Sequence, residues 1–198
     1  MSTARLNAVA RREQLLDVAL DVFARAGYHG ASMNDVAEAA GVTKPVLYQH
    51  FESKRDLYRA LLDEVGTRLL KAVTTATAGT TDGRRQTELG YQAYFRWVAD
   101  DHDGFRLLYG SGARRDEEFN RAVRRVTAGA AEAIAPLIAV DIDDEHRLTL
   151  AHALVGLAEG ASRRLVDLGE SFDPDVLARQ VSDLAWAGLR AIGRSPIV

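Results

Sequence analysis

The stretch Gly41–Phe51, GVTKPVLYQHF, decides how the rest of this chain is read. It sets a proline beside a lysine and then runs tyrosine, glutamine and histidine in a row, amid long amphipathic stretches of Ala, Leu, Val and paired charges. Thr43 can cap a short helix, and Pro45 falls in its first turn, where a missing N–H costs nothing. Leu47 and Phe51 are four apart and so point to one side of that helix. Lys44, Pro45, Tyr48 and His50 are displaced toward solvent. The odd polar row is the outward face of a short helix.

Just upstream, Ser32-Met33-Asn34-Asp35 is another start signal: the Ser32 hydroxyl can cap a helix and Asp35 can answer in its first turn. That helix is barely two turns long; it buries Met33, Val36, Ala37 and Ala40 and then meets Gly41. Two short helices joined by GVT meet the specification of a helix-turn-helix over residues 32–51, with Val36, Ala40, Val42, Leu47 and Phe51 as the interlocking face. Such a unit inserts the N-terminal end of its second helix into the major groove. Thr43 and the free amides at the helix start can take a phosphate oxygen. Lys44 can reach guanine O6 or N7, or a phosphate. Pro45 packs against a thymine methyl or lets the backbone come close. Tyr48 and His50 can donate to phosphates, and Lys54 can clamp the flanking strand.

Working outward, Leu15, Ala19, Val22, Phe23 and Ala26 form the apolar stripe of a first helix, and Gly27 sits where a C-terminal cap belongs. Ser53-Lys54-Arg55-Asp56 opens a fourth helix that runs to about Thr74. Breaks at Gly79–Gly83, Gly110–Gly112, Val140–Asp144 and Gly169–Pro174 then separate helical segments near 84–101, 103–109, 115–139, 144–168 and 174–193. No alternating strand pattern appears. The expected fold is all-α with about nine helices: an N-terminal three-helix helix-turn-helix domain joined through the fourth helix to a larger C-terminal helical bundle.

Bulk properties narrow the function. The chain has 198 residues, 47% of them hydrophobic and 27% charged, as in ordinary globular proteins. Cysteine is absent, which removes disulfides, thiolate metal sites and a cysteine nucleophile. With no signal-peptide core and no apolar run of membrane-spanning length, a cytoplasmic protein without membrane contact is expected. The net charge of −3 is carried entirely after residue 70, because residues 1–70 hold nine basic and nine acidic side chains. Basic residues gather at Arg5, Arg11 and Arg12 and again at Lys44, Lys54, Arg55 and Arg59, a local face compatible with nucleic acid. Arg5, Arg11 and Arg12 read either as an arm near the minor groove or as a frayed terminus.

The ordered series FARAGYHGAS, MNDVAEAAGV, TKPVLYQHF and ESKRDLY, over about fifty residues, resembles the DNA-binding domain of the tetracycline-repressor (TetR) family. The resemblance implies a DNA-binding transcriptional regulator, usually a repressor, acting as a homodimer on a palindromic operator of double-stranded DNA. Carried over position by position, it puts Ser32, Thr43, Lys44, Pro45, Tyr48, Gln49, His50 and Lys54 at the DNA. The family commonly has a small residue at Pro45 and tyrosine or histidine at Gln49. The implied division is an arm over 1–10, a DNA-binding domain over 11–70, and a ligand-binding and dimerisation domain over 71–198.

In the larger domain, Tyr91, Tyr94, Phe95 and Val98 share a helix face, which is either core or pocket lining. With the small-molecule pocket that the resemblance implies, the candidates are Tyr91, Gln92, Tyr94, Phe95, Arg96, Phe105 and Tyr109, Gln92 and Arg96 fixing orientation. Two late helices are rich in Ala and Gly, and Gly156 and Gly160 stand four apart, a spacing that lets helices approach closely. Two such helices per chain would make a four-helix dimer bundle. The interface candidates are His152, Gly156, Glu159, Gly160 and Trp186, although His152 and Glu159 could equally line a pocket floor. The Asp100–Asp103 run, with His146 and His152 downstream, lacks helical ligand spacing, so no metal and no cofactor is expected. Two alternatives remain: a regulator that binds DNA constitutively, its larger domain only dimerising, and a small all-α enzyme, for which no nucleophile–base pair or phosphate loop is present.

Overall fold

The computed structural model describes residues 7–109, 116–168 and 172–192. Arg5, the break at Gly110–Gly112, Gly169 and the two expected helix ends at 115 and 193 lie outside them. Among the described residues there are nine α-helices, one 3-10 turn and no strand. The helices are α1 (Ala8–Gly30), α2 (Met33–Ala39), α3 (Lys44–His50), α4 (Lys54–Thr77) and α5 (Gly83–Asp100), then α6 (His102–Tyr109), α7 (Glu117–Ile134), α8 (Asp144–Leu168) and α9 (Pro174–Ile192).

Boundaries follow local chemistry. The Asn7 side chain accepts from the Ala10 amide at 2.8 Å, so Ala8–Ala10, expected in an arm, already belong to α1. Ser32 and Asp35 form a reciprocal capping box on α2. Ser53 accepts from the Asp56 amide at 3.1 Å to open α4. α7 stops at Ile134 rather than 139. Pro136 has no N–H and clashes with the preceding turn, so Ala135–Leu137 tighten into the 3-10 turn. Ala26 is exposed rather than part of the apolar stripe.

Two glycines do work that no other residue could do without strain. Gly27 interrupts α1 at φ 69° and ψ 168°, a region essentially reserved for glycine. Gly41, at φ +63°, closes α2 in a Schellman motif: its amide donates to Glu38 O and the Val42 amide donates to Ala37 O, both at 3.0 Å. Nothing lies within 4 Å of a Cβ built on Gly41, so a substitution there meets only backbone strain. Gly41→Ala should therefore cost about 1–2 kcal/mol, and Gly41→Asn, which tolerates this conformation, should recover part of it. Denaturant titration of the three proteins measures both.

The chain divides into two compact units: residues 1–65 with 103–123, and 66–102 with 124–198. This division by packing differs from the expected one by function, at residue 70, in setting 103–123 with the first unit. The first unit has a core of Leu15, Val36, Leu47, Phe51, Leu57, Leu61 and Leu62, each at most 1% exposed. Burying such side chains contributes about 1.5–3 kcal/mol apiece. Phe119, from α7, joins this unit in an aromatic cluster. Its ring lies 4.8 Å from Tyr28 and 4.6 Å from Tyr58, and Tyr58 stands edge-on to Phe23 at 5.0 Å. Burial, with Tyr28 beside it, pushes the Tyr58 hydroxyl up to about 12, so it stays neutral at physiological pH. Arg55 lies 5.0 Å over Phe119 and pairs with Asp116 and Glu118, both at 2.7 Å.

In the second unit α5 packs along α9, and the end of α7, the 3-10 turn, α8 and α9 close over Ala131, Ile138, Ala151, Val155 and Leu189. A Cβ on Gly66 would stand 2.4 Å from Val126 Cγ2, so this mid-helix glycine is where α4 admits a side chain of α7.

Candidate nucleic-acid interface

α3 is anchored on one side and bare on the other. Leu47 and Phe51 are 0% and 1% exposed, while Thr43, Lys44, Pro45, Tyr48 and Gln49 are exposed and His50 is half-buried. Tyr48, at 48% exposure, is a large aromatic ring standing in solvent. Thr43 makes no side-chain cap bond, contrary to the expected cap; its carbonyl accepts from the Val46 and Leu47 amides instead. Five neighbouring side chains thus offer a hydroxyl, an ammonium, a proline ring, a phenol and an amide on one exposed surface.

Two sequence candidates are held by bonds within the chain. The Ser32 hydroxyl donates to the Asp35 carboxylate at 2.8 Å and accepts from the Asp35 amide, so its geometry is that of a helix cap. Lys54, expected to reach outward, turns inward: Nζ donates to Tyr28 O and Ala31 O, both at 2.8 Å. Arg12 likewise belongs neither to an arm nor to a frayed end. Within α1, it donates to His50 O at 3.3 Å and lies 4.4 Å over the Phe51 ring. Long charged side chains can be followed to such partners only in three dimensions, so residue spacing carries no signal for either.

The pocket candidates separate. Tyr91, Tyr94 and Phe95 are buried in the second unit, and the Tyr91 hydroxyl, pushed up by burial, donates to Leu154 O at 3.0 Å. Gln92 and Arg96 turn to α9: both donate to the Asp175 carboxylate, Gln92 at 3.0 Å and Arg96 at 3.0 and 3.1 Å. Those two donors hold the Asp175 carboxyl below its usual range, Arg96 foremost. They are a bond between helices rather than free polar groups. Phe105 and Tyr109 belong to the first unit, their rings 5.1 Å apart.

The interface candidates separate too. His152, Gly156 and Gly160 lie on the exposed face of α8. Glu159 is half-buried and paired with Arg163 one turn on. Trp186 packs inward, 3.5 Å from a Cβ built on Gly83. The exposed face of α9 carries Leu184, Ala187, Gly188 and Ala191, with Leu184 at 62% exposure. Their 3- and 4-residue spacing was visible in the sequence, whereas the inward packing of Trp186 was not. Among the described residues no three His, Asp or Glu side chains gather as metal ligands, and no helix is long and apolar enough to cross a membrane.

Residues 15–61 match the family described as bacterial regulatory proteins, tetR family, and residues 84–188 match the tetracyclin repressor-like C-terminal domain. The HTH-type transcriptional activator FasR of Mycolicibacterium smegmatis is 35% identical over 187 residues, covering 93% of this chain and 85% of FasR. The chain belongs to the TetR family. This TetR-family protein is accordingly a transcriptional regulator and not an enzyme. A TetR-like regulator from Rhodococcus sp. RHA1 superposes with a TM-score of 0.75 at 29% identity, covering 94% of this chain and 99% of that one. FadR from Bacillus subtilis, solved in complex with stearoyl-CoA, gives a TM-score of 0.77 at 18% identity over 87% of this chain and 96% of its own. That second likeness is one of fold.

Proposed function

We propose that this TetR-family regulator binds a palindromic operator as a homodimer through the bare face of α3, and that a small-molecule effector in the second unit releases it. The observation that carries the reading is the sidedness of α3: Leu47 and Phe51 hold it down while Thr43, Lys44, Pro45, Tyr48 and Gln49 face out. Thr43 and Tyr48 suit phosphate oxygens, Lys44 suits guanine or phosphate, Pro45 and Gln49 suit base edges, and His50 lies at the rim. In functional terms residues 11–70 form the DNA-binding domain, supported by 103–123, and the remaining residues serve effector and dimer. The work is cytoplasmic. Selecting bound duplexes from a random DNA pool tests the reading. Two inverted half-sites about one helical turn apart, or a multiple of it, are expected, and a pool that never enriches would refute it.

The dimer rests on glycines. Mid-helix glycine costs about 1 kcal/mol relative to alanine, yet Gly156, Gly160 and Gly188 all face open space within the chain. Close approach of a second copy's helices gives them a purpose. Gly160→Ala should then leave the protomer as stable or more so while weakening association, and Leu184→Glu should yield monomers. Sedimentation velocity reads both. An unchanged dimer would remove α8 and α9 from the interface.

For the effector we propose an acyl-CoA, the class that FadR holds, its chain against the apolar side of Tyr91, Tyr94 and Phe95. Adding stearoyl-CoA to the operator complex should dissociate it. The burial of Phe95 and Val98, both 0% exposed, favours the second reading, a constitutive DNA binder; a complex indifferent to acyl-CoA supports that one. Repression is the expected sign and activation, as in FasR's name, the other; a reporter gene distinguishes them.

A further inference from the structure

We infer that Lys54 and Arg12 are positioning residues of the DNA-reading head, cations that brace the two ends of the helix-turn-helix rather than contacts to phosphate. The inference rests on the DNA-binding reading above and departs from it at Lys54, the position where sequence alone pointed to a strand clamp.

Lys54 joins three pieces of chain. It stands at the start of α4, and its ammonium donates to Tyr28 O, in the last turn of α1, and to Ala31 O, the residue between α1 and the Ser32 cap of α2, at 2.8 Å each. It also lies 4.6 Å above the Tyr28 ring. These carbonyls need a donor: they lie at the C-terminal end of α1, and the Ser32 amide, which would follow Tyr28 O in a helical ladder, donates to the Asp35 carboxylate instead. A cation there satisfies two carbonyls at once and gains from the aromatic face. Leaving for a phosphate would strip both carbonyls and exchange a half-buried site for solvent.

Arg12 acts at the other end. Its guanidinium donates to His50 O, the last carbonyl of α3, at 3.3 Å and lies 4.4 Å over Phe51. A cation at a helix C-terminus is favoured by the dipole and supplies a donor to an otherwise unpaired carbonyl. Together the two side chains fix where α2 begins and where α3 ends, which sets the angle at which Lys44 and Tyr48 are presented.

Salt dependence separates positioning from contact. Each phosphate contact contributes about 0.9 to the slope of log affinity against log salt. Lys54→Met, which keeps the aliphatic stem, and Arg12→Gln are therefore titrated against a duplex from the selected pool over a range of salt, beside Lys44→Ala. The expected result is an affinity loss of about tenfold or more with the wild-type slope. A slope reduced by about 2 in the dimer, one contact per head, would overturn the inference, and so would unchanged affinity.

A measurement on the unaltered protein keeps the test decisive if a variant fails to fold. The sequence has three lysines, Lys44, Lys54 and Lys71, so protein labelled at lysine Cε gives three resolvable signals. The Lys54 signal should be displaced by the Tyr28 ring and stay put when DNA is added, while that of Lys44 moves. A Lys54 signal that moves with DNA overturns the inference. A wild-type protein that binds no duplex and leaves Lys44 unmoved overturns the DNA-binding reading, and with it the positioning role.

Discussion

Replacing Lys44 by alanine and Tyr48 by phenylalanine together should leave the protein folded and associated but weaken its hold on the operator by at least about a hundredfold. Neither side chain supports the fold: both are exposed, and α3 is anchored by Leu47 and Phe51 instead. A base or phosphate contact from Lys44 is worth about 1–3 kcal/mol, and the Tyr48 hydroxyl about 1 kcal/mol more. In a dimer both losses count twice. Electrophoretic mobility shift at physiological salt, with circular dichroism and sedimentation as controls, reads the outcome. Retained binding by a folded dimer would remove this face from the reading head.

Phe119→Ala should destabilise the DNA-reading unit by about 3–5 kcal/mol. The ring is 1% exposed and lies between Tyr28, Tyr58 and the Arg55 guanidinium, so its removal opens a cavity among three aromatic or cationic neighbours. The ion pairs beside it would not compensate. Arg55, Asp116 and Glu118 are 44%, 30% and 34% exposed, a setting in which each pair is worth at most about 1 kcal/mol. Thermal unfolding followed through tyrosine absorbance measures the change. A loss under about 1 kcal/mol would mean that the cluster collapses around the gap.

These two predictions mark what the sequence could and could not convey. Capping chemistry is local, so Ser32, Ser53 and Gly41 announced their helices from neighbours three or four residues away. The sides of α3 followed from the spacing of Leu47 and Phe51 alone. Phe119 was not legible, because its partners lie some sixty to ninety residues earlier and no local pattern encodes a contact at that distance. The partners of Gln92 and Arg96 were hidden for the same reason: a polar pair on a helix face looks identical whether it awaits a ligand or meets an Asp175 carboxylate eighty residues on. Lys54 shows the limit most clearly, since a lysine beside a DNA-binding motif invites one reading and its two carbonyl partners give another.

The membership of Phe119 in the first unit has a practical corollary. In cassette terms, the DNA-reading part of this regulator is not interchangeable by cutting after the fourth helix. A fragment ending near residue 70 would carry α3 intact yet leave the Tyr28 and Tyr58 rings without their third partner. Such a piece would expose an apolar aromatic patch and invite aggregation. Transplanting this specificity onto another regulator therefore means moving two separated stretches of chain, or rebuilding Phe119 in the recipient.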